Sequence, residues 1–242
     1  MYEFQTRVRY TELDEYGKLS VGSLVDLMQD TSTFHLEDLQ VGCNYLQEKR
    51  LVWMVSFWQI VIDRMPEFPE NIIVGTKPYG FTPAFGLRNF VIMDEKKNNL
   101  VCANSYWVLV DRESGKPIRI PKEEAEHYSC EEPVEMDYAP RKISIEEELT
   151  ATDPLTVQRH HLDTNLHVNN GQYIKIALER LPVDIDIAEL RVEYRKQALL
   201  GNCIVPCIGE STDRYVVKLN DEQGQPYAII AFYKRKPQAT EQ

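Results

Sequence analysis

The spacing of apolar side chains along the first half of the chain predicts one helix set among strands. From residue 20 to residue 39, apolar positions recur with the period of a single helix face. That face consists of Val21, Leu24, Val25 and Met28. Glu3–Tyr10 predicts a strand before the helix, and four apolar runs separated by proline and glycine predict an antiparallel sheet after it. The four runs are Leu51–Asp63, Ile72–Tyr79, Leu87–Met93 and Val101–Asp111.

The second half of the chain repeats this order of elements. Pro154–His160 predicts a strand, and a helix is predicted from about Asn169 to Leu181, where Pro182 ends it. Four strand candidates follow, namely Ala188–Ala198, Cys203–Gly209, Tyr215–Asn220 and Tyr227–Arg235. Between the halves, residues 131–150 are acidic and contain two prolines, which predicts a linker on the surface with the run Glu146–Glu148 in solvent.

The repeat is also visible in the residues themselves. Leu13–Leu19 aligns with Leu162–Val168 at an offset of 149 residues, and the register continues into both predicted helices. A helix beside a curved antiparallel sheet, present twice, predicts an α+β double hotdog fold. We expect an N-terminal repeat over 1–130 that provides architecture and the acyl-chain site, a linker over 131–150, and a C-terminal repeat over 151–242 that carries the catalytic residues. Two such units are expected to pair, because each alone leaves an open sheet edge.

Composition narrows the classes of function. The 242 residues are 43% hydrophobic and carry a formal net charge of −11, which argues against non-specific nucleic-acid binding. The five cysteines form no CxxC pair, so a disulfide framework is not expected and a reducing compartment is favoured. No apolar run is long enough to span a membrane and no secretory signal is visible, which together predict a cytoplasmic protein.

Residues suited to chemistry occur in only one copy of the repeat. The second copy has Asp163, Asn165 and His167, and the first copy has Asp14, Tyr16 and Lys18 at the aligned positions. The alternation of the three second-copy residues predicts that they share one side if the chain stays extended. His167 is a candidate general base for water, Asn165 for polarising a carbonyl group, and Asp163 for orienting the imidazole or the water. The backbone N–H groups of residues 168–171, at the start of the helix, are predicted to face a developing oxyanion.

This segment resembles a known active-site stretch. Asp-x-Asn-x-His-Val-Asn-Asn, followed by Tyr173 and Glu179, resembles that of the plant and bacterial acyl-acyl carrier protein (acyl-ACP) thioesterases. Leu190–Gln197 is similar to the strand that follows in the same family. The resemblance implies a double hotdog fold, hydrolysis of fatty-acyl-ACP thioesters, and no metal or organic cofactor.

One position departs from the family pattern. Many plant members carry a catalytic Glu-Cys pair where this chain has Gln197 and Ala198. A cysteine nucleophile is therefore excluded at this site, and Gln197 is a candidate for hydrogen bonding but not for proton transfer. The departure favours direct attack by water. The plant members also carry an organelle-targeting extension not seen here, which favours a bacterial-type member.

Predicted substrate contacts come from three segments. They are Val21, Leu24, Val25 and Met28 on the first helix, Trp53, Met54 and Phe57 on the next strand, and Asn169 and Tyr173 in the motif region. The apolar members serve equally well as core residues. Glu193 is predicted to form an ion pair rather than to act in catalysis. A metal site is not expected, because adjacent His160 and His161 on a strand point to opposite faces.

The sequence therefore predicts an enzyme that hydrolyses fatty-acyl-ACP, releases free fatty acid and ends chain elongation, with acyl carrier protein as its partner. Two alternatives stay open: an acyl-CoA thioesterase of the same fold, and a non-catalytic acyl-binding protein. Hydration of enoyl thioesters is disfavoured by the pairing of Asn165 with His167. The fused repeats are expected to act as a monomer or to form a homodimer.

Overall fold

The computed structural model describes residues 1–236, which form two compact units. The first contains Met1–Trp58 and Asp63–Ala139, and the second contains Gln59–Ile62 and the described residues from Pro140 onward. Each unit combines a helix with an antiparallel sheet, as the predicted α+β class requires. The predicted boundaries at 130 and 150 stay predictions, and residues 237–242 of the predicted C-terminal repeat lie outside the described residues.

The main helix of the first unit is α1, Val21–Asp38. Ser20 ends the preceding extended segment, and its side chain accepts a hydrogen bond from the Ser23 N–H, which satisfies one of the free donors of the first turn. The predicted face is inside, because Leu24, Val25 and Met28 are fully buried. Two short helices follow, α2 (Cys43–Glu48) and α3 (Lys122–Ala125).

The sheet of the first unit follows the predicted apolar runs. Its strands are β1 (Tyr2–Arg7), β2 (Leu51–Ile62), β3 (Asn71–Phe81), β4 (Gly86–Met93), β5 (Asn99–Asp111) and β6 (Lys116–Ile118). The order is β1-β3-β4-β5, with antiparallel neighbours, and both β2 and β6 lie beside β5. Trp58 and Phe90 are fully buried, with ring centroids 5.0 Å apart, and the ring of the partly buried Trp107 lies 6.3 Å from that of Trp58.

The second unit repeats the arrangement with a shorter helix. Its strands are β7 (Thr150–Ala151), β8 (Leu155–Thr156), β9 (Ile187–Tyr194), β10 (Cys203–Glu210), β11 (Arg214–Asn220) and β12 (Pro226–Lys234). The order is β9-β12-β11-β10, and β7 and β8 both pair with β10. The helix α4, Asn170–Leu178, buries Tyr173, Ile174 and Ala177. Within residues 1–236, no helix is both long enough and apolar enough to cross a bilayer.

Four predicted element boundaries are wrong. The first strand, predicted to reach Tyr10, ends at Arg7, and Tyr10 begins a turn of 3-10 helix. The strand predicted over 154–160 shrinks to β8, because Arg159–His161 form a single turn of 3-10 helix. The strand predicted to reach Ala198 ends at Tyr194, where the N–H groups of Arg195 and Lys196 both turn to the Tyr227 carbonyl oxygen. The helix predicted to reach Leu181 ends at Leu178, ahead of Pro182.

The acidic segment is less exposed than predicted. Ile143 is buried in a cluster with Val216, Ile229 and Ala231. Glu147 does not lie in solvent, because only 4% of its side chain is exposed and it pairs with Arg214 at 2.6 Å. The prediction that the whole run Glu146–Glu148 is solvated is therefore wrong. Ile143, through apolar packing, and Glu147, through its ion pair, hold this segment against the strands of the second unit.

Candidate functional site

The motif Asp163–Asn169 forms a closed turn before α4. Leu162 and Val168 form an isolated antiparallel bridge, so the chain doubles back between them. The Asp163 carboxylate lies inside the turn, where its Oδ1 accepts the N–H groups of Asn165 at 2.8 Å and His167 at 3.3 Å. The motif is therefore not extended as predicted, because these hydrogen bonds curl the backbone around one carboxylate oxygen.

The turn closes through a left-handed residue. Leu166 has φ +62° and is 71% exposed, a conformation that is unfavourable for a side chain with a Cβ atom. Its neighbours Asn165 and His167 are half-buried and flank this exposed tip. The geometry gives Asp163 a positioning role, because it holds the backbone of both flanking residues.

The predicted oxyanion site at the start of α4 is wrong for three of its four N–H groups. Val168 donates to the Ala198 carbonyl oxygen at 3.0 Å, and Asn169 donates to that of His161 at 2.9 Å. Gly171 donates to the side chain of Asn169, which is the N-cap residue of the helix, at 2.8 Å. Donors already engaged by the protein are not free to stabilise a developing charge, which leaves the side chains as candidates.

The segment after β9 runs beside the motif. His167 and Leu199 form an antiparallel bridge, and the Ala198 N–H donates to the Tyr173 hydroxyl oxygen at 2.9 Å. Gln197 is exposed in this segment, and Ala198 is fully buried. The fold thus brings the Gln197-Ala198 segment next to His167, although Gln197 and His167 lie about 30 residues apart in the chain.

Asn169 and Tyr173 connect the motif to α4 and to the segment after β9. Asn169 caps α4, and Tyr173 is 2% exposed and packs edge-on against Tyr194, with centroids 5.9 Å apart. Burial raises the pKa of the Tyr173 phenol well above its ordinary value of 10.0, so it stays protonated. Contact of Asn169 and Tyr173 with substrate stays a prediction. The hydrogen bonds of these two residues attach the turn to α4 and to the segment after β9.

The remaining polar candidates have structural partners. Glu193 is fully buried and pairs with Arg195 at 2.8 Å and with Arg141 at 3.6 Å, as an ion-pair residue should. His160 and His161 lie on the 3-10 turn rather than on a strand, with their rings 4.1 Å apart, so the opposite-face argument against a metal was wrong. Among residues 1–236, no group of three His, Cys, Asp or Glu side chains is placed to hold a metal ion.

The first unit contains a small, partly open cavity with a volume of about 40 Å³. Of the predicted substrate residues, Trp53 lines it. Leu24, Val25, Met28 and Phe57 are buried in the core, and Val21 and Met54 are partly buried. The cavity wall consists of Ser32, Leu36, Trp53, Pro78, Phe81, Gly86, Leu87, Arg88, Trp107 and Tyr128.

Sequence reasoning missed most of this wall. Apolar residues of a cavity and of a core look the same in sequence, so Phe81, Trp107 and Tyr128 gave no separate signal. Arg88 did give one, because it interrupts an apolar strand with a charge, and charged residues are almost never buried unless paired.

The first unit contains the same turn as the motif, without the same chemistry. Leu13 and Leu19 form the matching bridge, and Asp14 Oδ1 accepts the N–H groups of Tyr16 at 3.0 Å and Lys18 at 2.9 Å. Gly17 has φ +77°, at the position that corresponds to Leu166. The two turns share their scaffold and differ at the side chains that could act on a substrate.

The chain is similar to known proteins in sequence and in structure. The family model described as the acyl-ACP thioesterase N-terminal domain matches residues 1–128, and the model described as the C-terminal domain of the same family matches residues 143–232. A palmitoyl-acyl carrier protein thioesterase of Cuphea hookeriana is 24% identical over 207 residues, which are 78% of this chain. The matched region spans 50% of the length of that relative.

Two solved structures have the same fold. An acyl-ACP thioesterase from Bacteroides thetaiotaomicron superposes with a TM-score of 0.86 at 22% identity, over 96% of this chain and 97% of that one. The 12:0-ACP thioesterase from Umbellularia californica superposes with a TM-score of 0.82 at 18% identity, over 97% of this chain and 98% of that one. The predicted hotdog-type fold is confirmed. Because the two family models together match most of the chain, this protein belongs to the acyl-ACP thioesterase family.

Proposed function

We propose that this protein hydrolyses the thioester of fatty-acyl-ACP, releasing free fatty acid and ending chain elongation. The observation that carries the proposal is the difference between two turns of the same geometry. Only the turn of the second unit presents an amide and an imidazole, on Asn165 and His167, on either side of an exposed tip. Family membership supports the same reaction.

His167 acts as the general base in this proposal. Its imidazole takes a proton from a water molecule, and the resulting hydroxide attacks the thioester carbonyl carbon. The C–S bond then breaks, the acid is released, and the proton returns to the thiolate of the carrier's prosthetic group. Because Ala198 has no nucleophile, the acyl group is not transferred to the enzyme at that position.

Asn165 and Gln197 supply hydrogen bonds rather than protons. The Asn165 side-chain amide donates to the carbonyl oxygen as negative charge develops on it, a contribution worth about 10²–10³-fold in rate at sites of this kind. Gln197, which is exposed, orients the water in this proposal. Asp163 keeps both flanking backbone groups in position.

The proposal is tested with purified protein and an acyl-ACP panel from short to long chains. His167→Ala should lower kcat by about 10²–10⁴-fold without unfolding the protein. Lys18→Ala is the matched control, because Lys18 occupies the same position in the turn of the first unit, and it should leave the rate unchanged. Full activity of the His167 variant would sink the assignment.

Net charge gives a reason to test the carrier separately. The formal charge of −11 disfavours an acidic carrier protein, so acyl-CoA is the second candidate substrate. Rates on acyl-ACP and acyl-CoA of equal chain length separate the two. Turnover of neither, with tight acyl binding, would instead favour the non-catalytic acyl-binding protein that the Gln197-Ala198 departure allows. The cytoplasmic location and the oligomeric state stay predictions.

A further inference from the structure

The motif turn, Asp163–Asn169, is preceded by a histidine that the proposed mechanism does not use. His161 is the last residue of the 3-10 turn and is partly buried. Its N–H donates to the Gln158 carbonyl oxygen at 3.1 Å, and its carbonyl oxygen accepts the Asn169 N–H at 2.9 Å. Its side chain is engaged as well, because Nδ1 accepts the Gln158 N–H at 3.0 Å. His161 therefore connects the 3-10 turn to the residue that caps α4.

Glu12 forms the same three hydrogen bonds in the first unit. It precedes His161 by 149 residues, the offset that aligns the two repeats. Its N–H donates to the Arg9 carbonyl oxygen at 3.0 Å, and its carbonyl oxygen accepts the Ser20 N–H at 2.8 Å. Its Oε2 accepts the Arg9 N–H at 2.8 Å. Side chains that accept the N-cap N–H from this position are ordinarily Glu or Gln, so the imidazole of the second unit is the unusual choice.

An imidazole can make this hydrogen bond in only one protonation state. The neutral ring has one acceptor nitrogen and the imidazolium has none. Because Nδ1 of His161 accepts the Gln158 N–H, Nε2 carries the proton of the neutral ring. A carboxylate such as that of Glu12 keeps acceptor lone pairs whether or not it is protonated. The two repeats thus share a geometry and differ in how it responds to protons.

The surroundings of His161 favour the neutral ring. Burial lowers the pKa of His161 below its ordinary value of 6.5, and His160 lowers it further, with the two rings 4.1 Å apart. The titratable or charged side chains of the elements that His161 contacts are Arg159 and His160 on its own 3-10 turn, Asp163 and His167 on the motif turn, and Lys175 on α4. At neutral pH the ring is therefore an uncharged acceptor.

We propose that His161 is a positioning residue for hydrolysis, and that its neutral imidazole holds the motif turn in the geometry that presents Asn165 and His167. The inference rests on the proposed function, because it assigns a further role within the same site. The connection runs through the backbone. His161 fixes the segment from the 3-10 turn to Asn169, and Asp163 holds the N–H groups of Asn165 and His167 inside it.

Protonation of His161 removes an acceptor that this geometry uses. The Gln158 N–H then faces a cation instead of a lone pair, and the 3-10 turn ahead of Asp163 loses one of its hydrogen bonds. The rate should therefore fall for a reason separate from the titration of His167, which cannot take a proton once it is protonated.

Two substitutions separate the acceptor from its titration. His161→Ala removes the acceptor and should lower kcat for acyl-ACP at about pH 8 by about 10–10²-fold, because small misplacements of reacting groups cost rates of this order. His161→Gln supplies an uncharged acceptor and should recover most of the rate. Glu12→Ala is the matched control, since it removes the same bond in the first unit and should leave kcat unchanged. Wild-type kcat in His161→Ala, or a folded His161→Gln as slow as His161→Ala, would overturn the proposal.

The pH profile provides a readout that a merely structural role would not change. The wild type and His161→Gln share His167, so its titration cancels in the ratio of their kcat values. As the pH falls below 6.5, this ratio should rise in favour of His161→Gln, toward the factor lost in His161→Ala. A ratio that stays constant from about pH 8 to about pH 5 contradicts the proposal. If His161→Ala does not fold, this comparison still decides.

Amide hydrogen exchange tests the same hydrogen bond without substrate. At neutral pH the amides of Gln158, Asn165 and His167 should be protected in the wild type and in His161→Gln. In His161→Ala they should exchange at least about 10-fold faster, the size expected from the loss of one hydrogen bond. Unchanged protection in His161→Ala would overturn the positioning role even if the protein hydrolyses acyl-ACP. If no thioester is hydrolysed, the proposed function fails, and exchange still decides whether His161 holds the turn.

Discussion

The turns at Asp14–Ser20 and Asp163–Asn169 have the same hydrogen bonds and different side chains. In each, one aspartate oxygen accepts two backbone N–H groups, a left-handed residue closes the tip, and a polar residue caps the helix that follows. Each is also preceded by a single turn of 3-10 helix, at Tyr10–Glu12 and at Arg159–His161. The comparison separates the architecture of the turn from its chemistry.

The largest expected effect comes from exchanging that chemistry. Replacing Asn165 and His167 with the residues of the first turn, Asn165→Tyr and His167→Lys, should remove hydrolysis of acyl-ACP, because base and amide are lost together. Thermal unfolding should change little, since the scaffold hydrogen bonds use backbone N–H groups. The reciprocal Tyr16→Asn and Lys18→His change should leave kcat unaltered. Comparable activity in both double variants would show that the turn is not the active site.

The next effect concerns the two aspartates. Asp163→Ala and Asp14→Ala should each destabilise the protein by about 1–3 kcal/mol, because two N–H groups lose their acceptor in each case. Only Asp163→Ala should also lower kcat, since it releases the backbone of Asn165 and His167. Chemical denaturation measures the first effect, and acyl-ACP hydrolysis measures the second. A fall in kcat for both variants would argue against a local positioning role.

Substitutions at the tips of the two turns should change stability by different amounts. Gly17→Leu places a Cβ atom at φ +77° and should destabilise the protein by about 1–2 kcal/mol, although nothing lies close to the added atom. Leu166→Gly relieves the same strain at φ +62° but adds flexibility to the unfolded chain, so its net effect on stability should be within about 1 kcal/mol of zero. The free energy of unfolding of both variants checks this. Equal destabilisation by the two changes would be incompatible with the backbone argument.

The smallest effect is expected at the helix caps. Ser20→Ala and Asn169→Ala each remove a side-chain acceptor from the first helical turn, which should cost about 1 kcal/mol. If Asn169 also touches substrate, as the sequence predicts, only its variant should raise KM. Unchanged KM in both variants would restrict Asn169 to capping.

The position of the candidate site could be predicted from the sequence, because it depends on residues that lie close together in the chain. The offset of 149 residues aligned the two turns, and the chemistry-bearing pair stood out against Tyr16 and Lys18. The extended geometry predicted for that pair was wrong, because alternation of residue types does not reveal that a carboxylate accepts two backbone N–H groups and curls the chain.

The amino-acid sequence by itself determined the order of elements, the duplication and the family. These follow from periodicity and from residues close together in the chain. Tertiary structure alone decided that the N–H groups at the start of α4 are engaged, that the Gln197-Ala198 segment lies against His167, and that Arg88 is buried in a cavity wall. Each of these depends on contacts between residues far apart in sequence, and no local pattern records which side chain or carbonyl will meet them when the sheet closes around the helix.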